Sequence, residues 1–246
     1  HQVMYRSNPK VYVYISLSVS ILITEYYFFL TNFQSIFMQN INIISNLKDK
    51  LKYYSQNYYH NLKTKNNFYS DKYLISTNNI SYNDASVLIL LFPLNDSIYF
   101  YLTKRTNNVE HHKGQISLPG GANDFGESLM ETAIRETYEE IGVKILPQTI
   151  IGQISPLNIP VSGFCVHPFI AWCNYVPKVN SDPVEVNSVF SASLKVLIND
   201  DYQHLEQREL QGNTFMTPYF QFAEYKVWGA TALILSELKS IIVKIL

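Results

Sequence analysis

The chain has 246 residues, of which 47% are hydrophobic, and this apolar content is enough for a buried core and excludes wholesale disorder. Its formal net charge of −1 provides no basic face of the kind that phosphate-backbone binding requires, so we expect no nucleic-acid partner. The two cysteines, Cys165 and Cys173, form no metal-binding pattern. If both lie on one strand they are roughly 27 Å apart, too far for a disulfide, and we interpret them as buried free thiols of a reducing compartment.

An apolar stretch lies near the beginning of the chain. Val11–Thr24 is uncharged but shorter than the ~20 residues of a full membrane span, and Glu25 interrupts it. A more ordinary start follows at Met38, so we interpret residues 1–37 as upstream sequence outside the working protein. A cytoplasmic location follows from this interpretation. The alternative is a membrane anchor, which requires that residues 11–30 belong to the translated protein.

Residues 38–83 are interpreted as a leading amphipathic helix and a polar connector. Apolar side chains recur there at helical spacing, at Ile43 and Ile44, Leu47, Leu51 and Tyr54. Residues 84–246 form the predicted main domain. Its apolar runs Ser86–Phe92 and Ile98–Thr103 flank turn residues and predict a β-hairpin.

The rest of the domain alternates strand and helix patterns. We predict strands in Thr149–Ser155, Cys165–Cys173 and Pro218–Gly229, a loop followed by a short helix or strand in Asp182–Ile198, and a closing helix in Ala230–Leu246. Strands with a few interspersed helices indicate an α/β fold.

The segment from Gly120 to Val143 predicts a glycine loop followed by a helix. Ser128 and Glu131 form a capping-box pattern, and Gly142 is a natural helix end. Within this helix one stripe is apolar enough to be the core face, and its members are Met130, Ile134, Thr137 and Ile141.

Three glutamates, Glu136, Glu139 and Glu140, lie on a different arc of the same helix. Carboxylates this close repel one another unless a divalent cation binds between them, and hard oxygen ligands are what Mg²⁺ prefers. Ahead of the helix, Gly120 and Gly121 let the backbone approach a ligand closely. A cation beside a phosphate-binding loop is typical of phosphoanhydride hydrolysis.

The spacing from Gly121 through Glu127, Arg135-Glu136, Glu139-Glu140 and Gly142-Val143 resembles the Nudix box, G-x5-E-x7-R-E-U-x-E-E-x-G-U. Only the first aliphatic position differs, where this chain has Thr137. The resemblance implies the Nudix fold, a mixed β-sheet sandwiched between α-helices, and hydrolysis of a nucleoside diphosphate derivative. It also implies Mg²⁺ or Mn²⁺ bound by Glu136, Glu139 and Glu140, with Glu139 and Glu140 catalytic, an orienting role for Arg135, and a loop-bracing or ion-binding role for Glu127.

The residues upstream of the box resemble the signature of the coenzyme A diphosphatase subfamily. The matching positions are Leu102, Thr103, Arg105, His112, Gly114, Gln115, Pro119, Gly120 and Gly121. Two positions differ, Leu118 in place of Phe and Glu110 in place of a basic residue. The resemblance, which continues in Ile154–Cys173 and Asp182–Val186, implies coenzyme A or acyl-CoA as the small-molecule substrate, contacted by the matched residues from Arg105 to Gly121.

Alternatives stay open at several points. Glu185 is either the general base, an extra metal ligand or surface charge, and His167 is interpreted as a core histidine with a satisfied hydrogen bond. Another substrate such as ADP-ribose or NADH competes with coenzyme A, because Glu110 removes a basic contact. A non-catalytic binding module is a further alternative. The sequence leaves the oligomeric state open, a homodimer included.

Overall fold

The computed structural model describes residues 25, 31, 34–36, 38–52, 81–106, 115–210 and 213–246. Residues 38–52 are helical (α1), as predicted, and Leu47 and Leu51 of this helix are fully buried. A Cβ on Gly152 would lie 2.7 Å from the Leu51 Cβ, so the helix packs closely against the sheet there. Tyr54 and most of the polar connector fall outside the described residues, as do all but one of residues 11–30.

The predicted hairpin is formed by β1, Asn83–Leu94, and β2, Ser97–Arg105. The other strands of the main sheet are β3 (Ile116–Ser117), β4 (Gly120–Ala122), β5 (Ile150–Gln153), β6 (Leu157–Ile159), β7 (Phe164–Trp172) and β8 (Val186–Ser193). Their order is β3-β2-β1-β7-β5, with β4 on β1, β6 on β7 and β8 on β2. Since β1 and β7 are parallel and the other pairs are antiparallel, the sheet is mixed.

The remaining elements complete the domain. The helices are α2 (Leu129–Ile141), α3 (Leu194–Ile198) and α4 (Gly229–Val243), and a second antiparallel sheet consists of β9 (Gln203–Leu210), β10 (Asn213–Phe222) and β11 (Tyr225–Val227). The strand predicted in Pro218–Gly229 is therefore two strands and a turn. The segment Asp182–Ile198 contains both a strand and a short helix.

The core lies on both faces of the main sheet. On one face, alternate β1 residues such as Ile89 and Leu91 join buried residues of α1 and α4. On the other face, Leu88 and Leu90 pack with residues of α2, including Ala133. A mixed sheet between helices is the predicted fold. Within the described ranges, the helices are all too short or too polar to cross a membrane.

The expected division of α2 into a core stripe and a carboxylate arc is wrong in part. Met130 and Ile134 are only partly buried, whereas Glu140 is 4% exposed. The reason is that α2 crosses the sheet where the glycine loop lies beside it, so the helix face that meets the sheet includes the Glu140 position. Cys165 and Cys173 are free thiols, as predicted, but only Cys173 is buried, whereas Cys165 is half-buried.

Candidate active site

The acidic helix begins and ends as its sequence predicts. At its N-terminus Ser128 Oγ accepts a hydrogen bond from the Glu131 amide at 3.3 Å, and the Ser128 amide donates to the Glu131 carboxylate at 2.8 Å. At its C-terminus Gly142 has φ 68° and its amide donates to the Tyr138 carbonyl. These caps satisfy backbone groups that helix ends otherwise leave unpaired, and they fix the position of the glutamates between them.

Arg135 is the centre of the carboxylate cluster. Its guanidinium donates to Glu127 through Nε and Nη2, both at 3.0 Å, and its Nη1 donates to Glu136 at 2.7 Å and to Glu139 at 3.0 Å. Hydrogen bonding to Arg135 lowers the pKa of Glu127, and the same contact raises the pKa of Arg135. Arg135 therefore holds two of the predicted metal ligands in place, as expected for an orienting residue.

Glu127 is braced from a second side, which the sequence did not predict. Thr132 Oγ1 donates to the Glu127 carboxylate at 2.8 Å, and Asn123 Nδ2 contacts both Thr132 Oγ1 at 2.6 Å and the Glu127 carbonyl at 3.1 Å. Threonine and asparagine are common in loops and at helix starts, so no pattern marked these two residues. Because Arg135 and Thr132 both bind its carboxylate, Glu127 fits the loop-bracing role better than the ion-binding role.

Gly121 is required by the position of Glu136. A Cβ on Gly121 would lie 2.4 Å from the Glu136 carboxyl carbon, so a larger residue would displace this carboxylate. Burial is the main cause of a raised pKa at Glu136, and the Arg135 guanidinium opposes it. The glycine loop thus leaves room for a carboxylate of the chain itself, whereas the sequence predicted the close approach of a ligand.

Glu140 is the buried member of the cluster. Its carboxylate accepts a hydrogen bond from the Gly120 amide at 3.3 Å. Burial raises the pKa of Glu140 to about 8, although this hydrogen bond and the nearby Arg105 guanidinium act in the opposite direction. A carboxylate in such a position is poorly solvated and gains from a cation as a neighbour.

Arg105 lies near the Glu140 carboxylate, and backbone hydrogen bonds connect the end of β2 to Gln115 and Glu185. The Arg105 amide donates to the Gln115 carbonyl at 3.1 Å, and the Thr106 amide donates to the Glu185 carbonyl at 3.1 Å. The side chain of Glu185 is exposed, and its charge contributes to the raised pKa of both Glu136 and Glu140. Arg105 Nε is buried without a hydrogen-bond partner in the described part of the chain.

The segment from Gln115 to Gly121 connects the region around Arg105 with the glutamates of α2. Pro119 contributes its carbonyl, which accepts a hydrogen bond from the Leu88 amide at 2.9 Å, and Gly120 and Gly121 pair with β1. Of the predicted substrate residues, Arg105, Gln115, Pro119, Gly120 and Gly121 are therefore brought to one place. His112 and Gly114 lie outside the described residues, as does Glu110.

The cluster fits a divalent cation by its chemistry. Its donors are carboxylate oxygens, the ligands that Mg²⁺ and Mn²⁺ prefer, and one of them is a buried carboxylate that lacks a side-chain cation at hydrogen-bond distance among the described residues. Gly121 keeps the space above Glu136 free of a side chain. Glu136, Glu139 and Glu140 are the residues that would hold the ion.

Comparisons with known proteins identify the family of the chain. A family model described as the NUDIX domain matches residues 83–193. A Caenorhabditis elegans protein named peroxisomal coenzyme A diphosphatase ndx-8 is 31% identical over 163 residues, which are 65% of this chain and 68% of that protein. The chain belongs to the Nudix family. The Nudix box is the segment from Gly121 to Val143, and the α/β architecture described above is the Nudix fold.

A plant protein and a solved structure are also similar to the chain. Nudix hydrolase 15, mitochondrial, of Arabidopsis thaliana is 33% identical over 165 residues, which are 64% of this chain but 58% of that protein. The chain thus spans little more than half the length of that relative. A crystal structure of a MutT/nudix family protein from Enterococcus faecalis covers 73% of this chain and 72% of its own, with a TM-score of 0.47 and 15% identity.

Proposed function

We propose that this chain is a metal-dependent Nudix hydrolase that cleaves the pyrophosphate of coenzyme A or its thioesters. The products are adenosine 3′,5′-bisphosphate and 4′-phosphopantetheine or its acyl form. The observation that supports the proposal is the proximity of the Arg105 guanidinium to the Glu140 carboxylate, together with the hydrogen bond from the Arg105 amide to the Gln115 carbonyl. The coenzyme A diphosphatase signature predicted these two residues as substrate contacts, and the named C. elegans relative supports the same substrate class.

The proposed roles follow from the contacts of each side chain. Arg105 can pair with phosphate oxygens through two parallel hydrogen bonds, and Gln115 can donate to phosphate or ribose from the adjacent strand. Glu185 lies in the turn just before β8 with its side chain exposed, which suits a general base that must exchange its proton with solvent. His112 and Gly114 complete the proposed substrate contacts.

Glu136, Glu139 and Glu140 are the proposed ligands of Mg²⁺ or Mn²⁺, and Glu139 and Glu140 are proposed to be catalytic. When bound, the ion neutralises charge that develops on the pyrophosphate oxygens and activates the attacking water. Arg135 keeps Glu136 and Glu139 oriented toward the site, and Gly120 does the same for Glu140 through its amide. We further propose that the enzyme acts in the cytoplasm.

A substrate comparison tests the proposal. The purified chain is incubated with Mg²⁺ or Mn²⁺ and separately with coenzyme A, ADP-ribose and NADH, and the products are identified by mass. We expect coenzyme A to be cleaved at its pyrophosphate, and Glu140→Gln to lower the rate by about a thousandfold, since a lost ligand costs several kcal/mol in the transition state. Cleavage of only ADP-ribose and NADH would contradict the substrate, and no cleavage of any pyrophosphate would contradict the activity.

A further inference from the structure

A second cluster of metal-binding side chains lies at the start of the β1–β7 pair. Asp84 of β1 and Cys165 and His167 of β7 each place one ligand atom within 4.8 Å of those of the other two. The His167 Nε2 and Asp84 Oδ1 atoms are 2.8 Å apart. Among the described residues, these are the three His, Cys, Asp or Glu side chains whose ligand atoms all lie within 4.8 Å of one another. None of the three belongs to the Nudix box.

The parallel register of the two strands creates the cluster. Asp84 lies opposite Cys165, and Ser86 lies opposite His167. Because side chains two residues apart on a strand share a face, and opposite residues of neighbouring strands point to the same side, all three side chains project together. The backbone is held firmly there, since the Asp84 carbonyl also accepts a hydrogen bond from the Asn123 amide at 2.9 Å.

We propose that Asp84, Cys165 and His167 bind a zinc ion. A thiolate and an imidazole suit Zn²⁺, whereas Mg²⁺ and Ca²⁺ require oxygen ligands, so this site differs in chemistry from the glutamate cluster. Tetrahedral zinc with ordinary bond lengths separates its ligand atoms by roughly 3.3–3.8 Å, a spacing that small side-chain rotations reach from the present positions.

The surroundings leave a fourth position open. The Asp84 side chain is 52% exposed while that of His167 is 17% exposed, so the cluster is accessible from one side. Asn158 of β6 lies opposite Cys165, with its side chain exposed on the same face of the sheet. Water or the Asn158 amide oxygen can therefore complete the coordination. Zinc here links β1 to β7 at the point where the main sheet begins.

Cobalt substitution gives a direct test, because a cobalt–thiolate bond produces a charge-transfer absorption band that carboxylate ligands do not produce. The full chain is titrated with Co²⁺ and then with Zn²⁺. We expect one cobalt–thiolate band per chain, lost when Zn²⁺ replaces the weaker-binding Co²⁺. Cys165→Ala should abolish the band, and His167→Ala should weaken cobalt binding at least about tenfold. Cys173→Ala is the matched control, since it removes the other thiol of the chain, and it should keep the band.

Glu140→Gln separates this site from the Nudix metal, because the band should persist in that variant. A second measurement is the thermal midpoint with and without Zn²⁺, which should rise in the wild type and in Cys173→Ala but not in Asp84→Asn, a variant that keeps the size of the side chain. The proposal is overturned if the wild type gives no cobalt–thiolate band, if the band survives Cys165→Ala, or if Zn²⁺ shifts the wild type and Asp84→Asn equally.

Discussion

Arg135 and Glu127 are joined by two hydrogen bonds, Nε to Oε1 and Nη2 to Oε2, both at 3.0 Å. The same guanidinium uses Nη1 to hold Glu136 and Glu139. One planar cation therefore connects the loop before α2 with two of the proposed metal ligands on it. Lysine, which has a single ammonium group, cannot make this set of contacts at once.

Replacing Arg135 by lysine tests this connection. We expect Arg135→Lys to lower kcat about 10–100-fold and to raise the metal concentration needed for half-maximal activity, as is typical when a residue that orients metal ligands is changed. Activity is measured against Mg²⁺ concentration. Lys144→Arg, at an exposed position just beyond α2, is the control for a Lys/Arg exchange. Equal metal dependence of Arg135→Lys and the wild type would contradict the orienting role.

Gly121→Ala tests whether the glycine loop makes room for Glu136. The new methyl group would meet the flexible end of the Glu136 side chain, so the fold can accommodate it by moving this carboxylate. We expect about a 100-fold loss of activity with little change in the denaturant midpoint. Gly126→Ala is the matched control: nothing lies within 4 Å of its added Cβ, but its φ of +85° costs about 1 kcal/mol of stability.

The control is expected to show the reverse pattern, reduced stability with activity retained. Both variants are measured by urea denaturation and by initial rates at saturating Mg²⁺. Wild-type activity of Gly121→Ala would show that catalysis does not require the present position of the Glu136 carboxylate beside Gly121.

The buried carboxyl of Glu140 predicts a pH-dependent stability of the metal-free protein. Because its pKa is raised by burial from 4.5 to about 8, the folded state holds a proton that the unfolded state has released. Between these values the free energy of unfolding therefore falls as pH rises, by about 5 kcal/mol in total. Below pH 4.5 both states are protonated and this contribution is constant.

Glu140→Gln removes the titrating group and should flatten this part of the curve. Urea denaturation in the presence of a chelator is compared for both proteins at several pH values between about 5 and 8. The variant should be the more stable of the two near pH 8, although it is inactive. Parallel curves for the two proteins would show that Glu140 is ionised in the metal-free fold.

Leu47→Ala tests whether α1 is part of the folded domain. Leu47 is fully buried in the core formed with the main sheet, so its truncation should lower the free energy of unfolding by about 2–4 kcal/mol. Ile41 lies on the exposed side of the same helix and is itself 38% exposed. Ile41→Ala should therefore change the free energy of unfolding by less than about 0.5 kcal/mol. Similar small effects of both substitutions would show that α1 contributes little to the stability of the domain.

The parts of the site that are local in sequence were predictable. The capping box and the Gly142 helix end depend on residues within or next to one helix, and the spacing of these residues is enough to predict both. Burial of Glu140 was not predictable in this way, because it depends on how α2 crosses the sheet. A hydrophobic stripe identifies only the centre of the buried face, and a polar residue at its margin is assigned to solvent.

Contacts between distant segments were the hardest to predict. Asp84 and His167 are 83 residues apart and meet only because β1 and β7 pair in parallel with one particular register. A one-residue shift would turn His167 to the opposite face of the sheet. The hydrogen-bond partner expected for His167 was therefore found, but neither Asp84 nor the neighbouring Cys165 could be named from the sequence.

Strand β1 changes its partner along its length. Leu91–Leu94 pairs with β2, whereas Ala85–Val87 pairs with β4. The segment Gln115–Ala122 contains both β3, which pairs with β2, and β4, which pairs with β1. The glutamates lie against the β4 side, whereas two of the proposed substrate contacts, Arg105 and Gln115, lie on the β2 side. Mutations on one side can therefore accumulate while the other side keeps its geometry. Such a scaffold can acquire new substrates over evolutionary time and still cleave the same kind of bond.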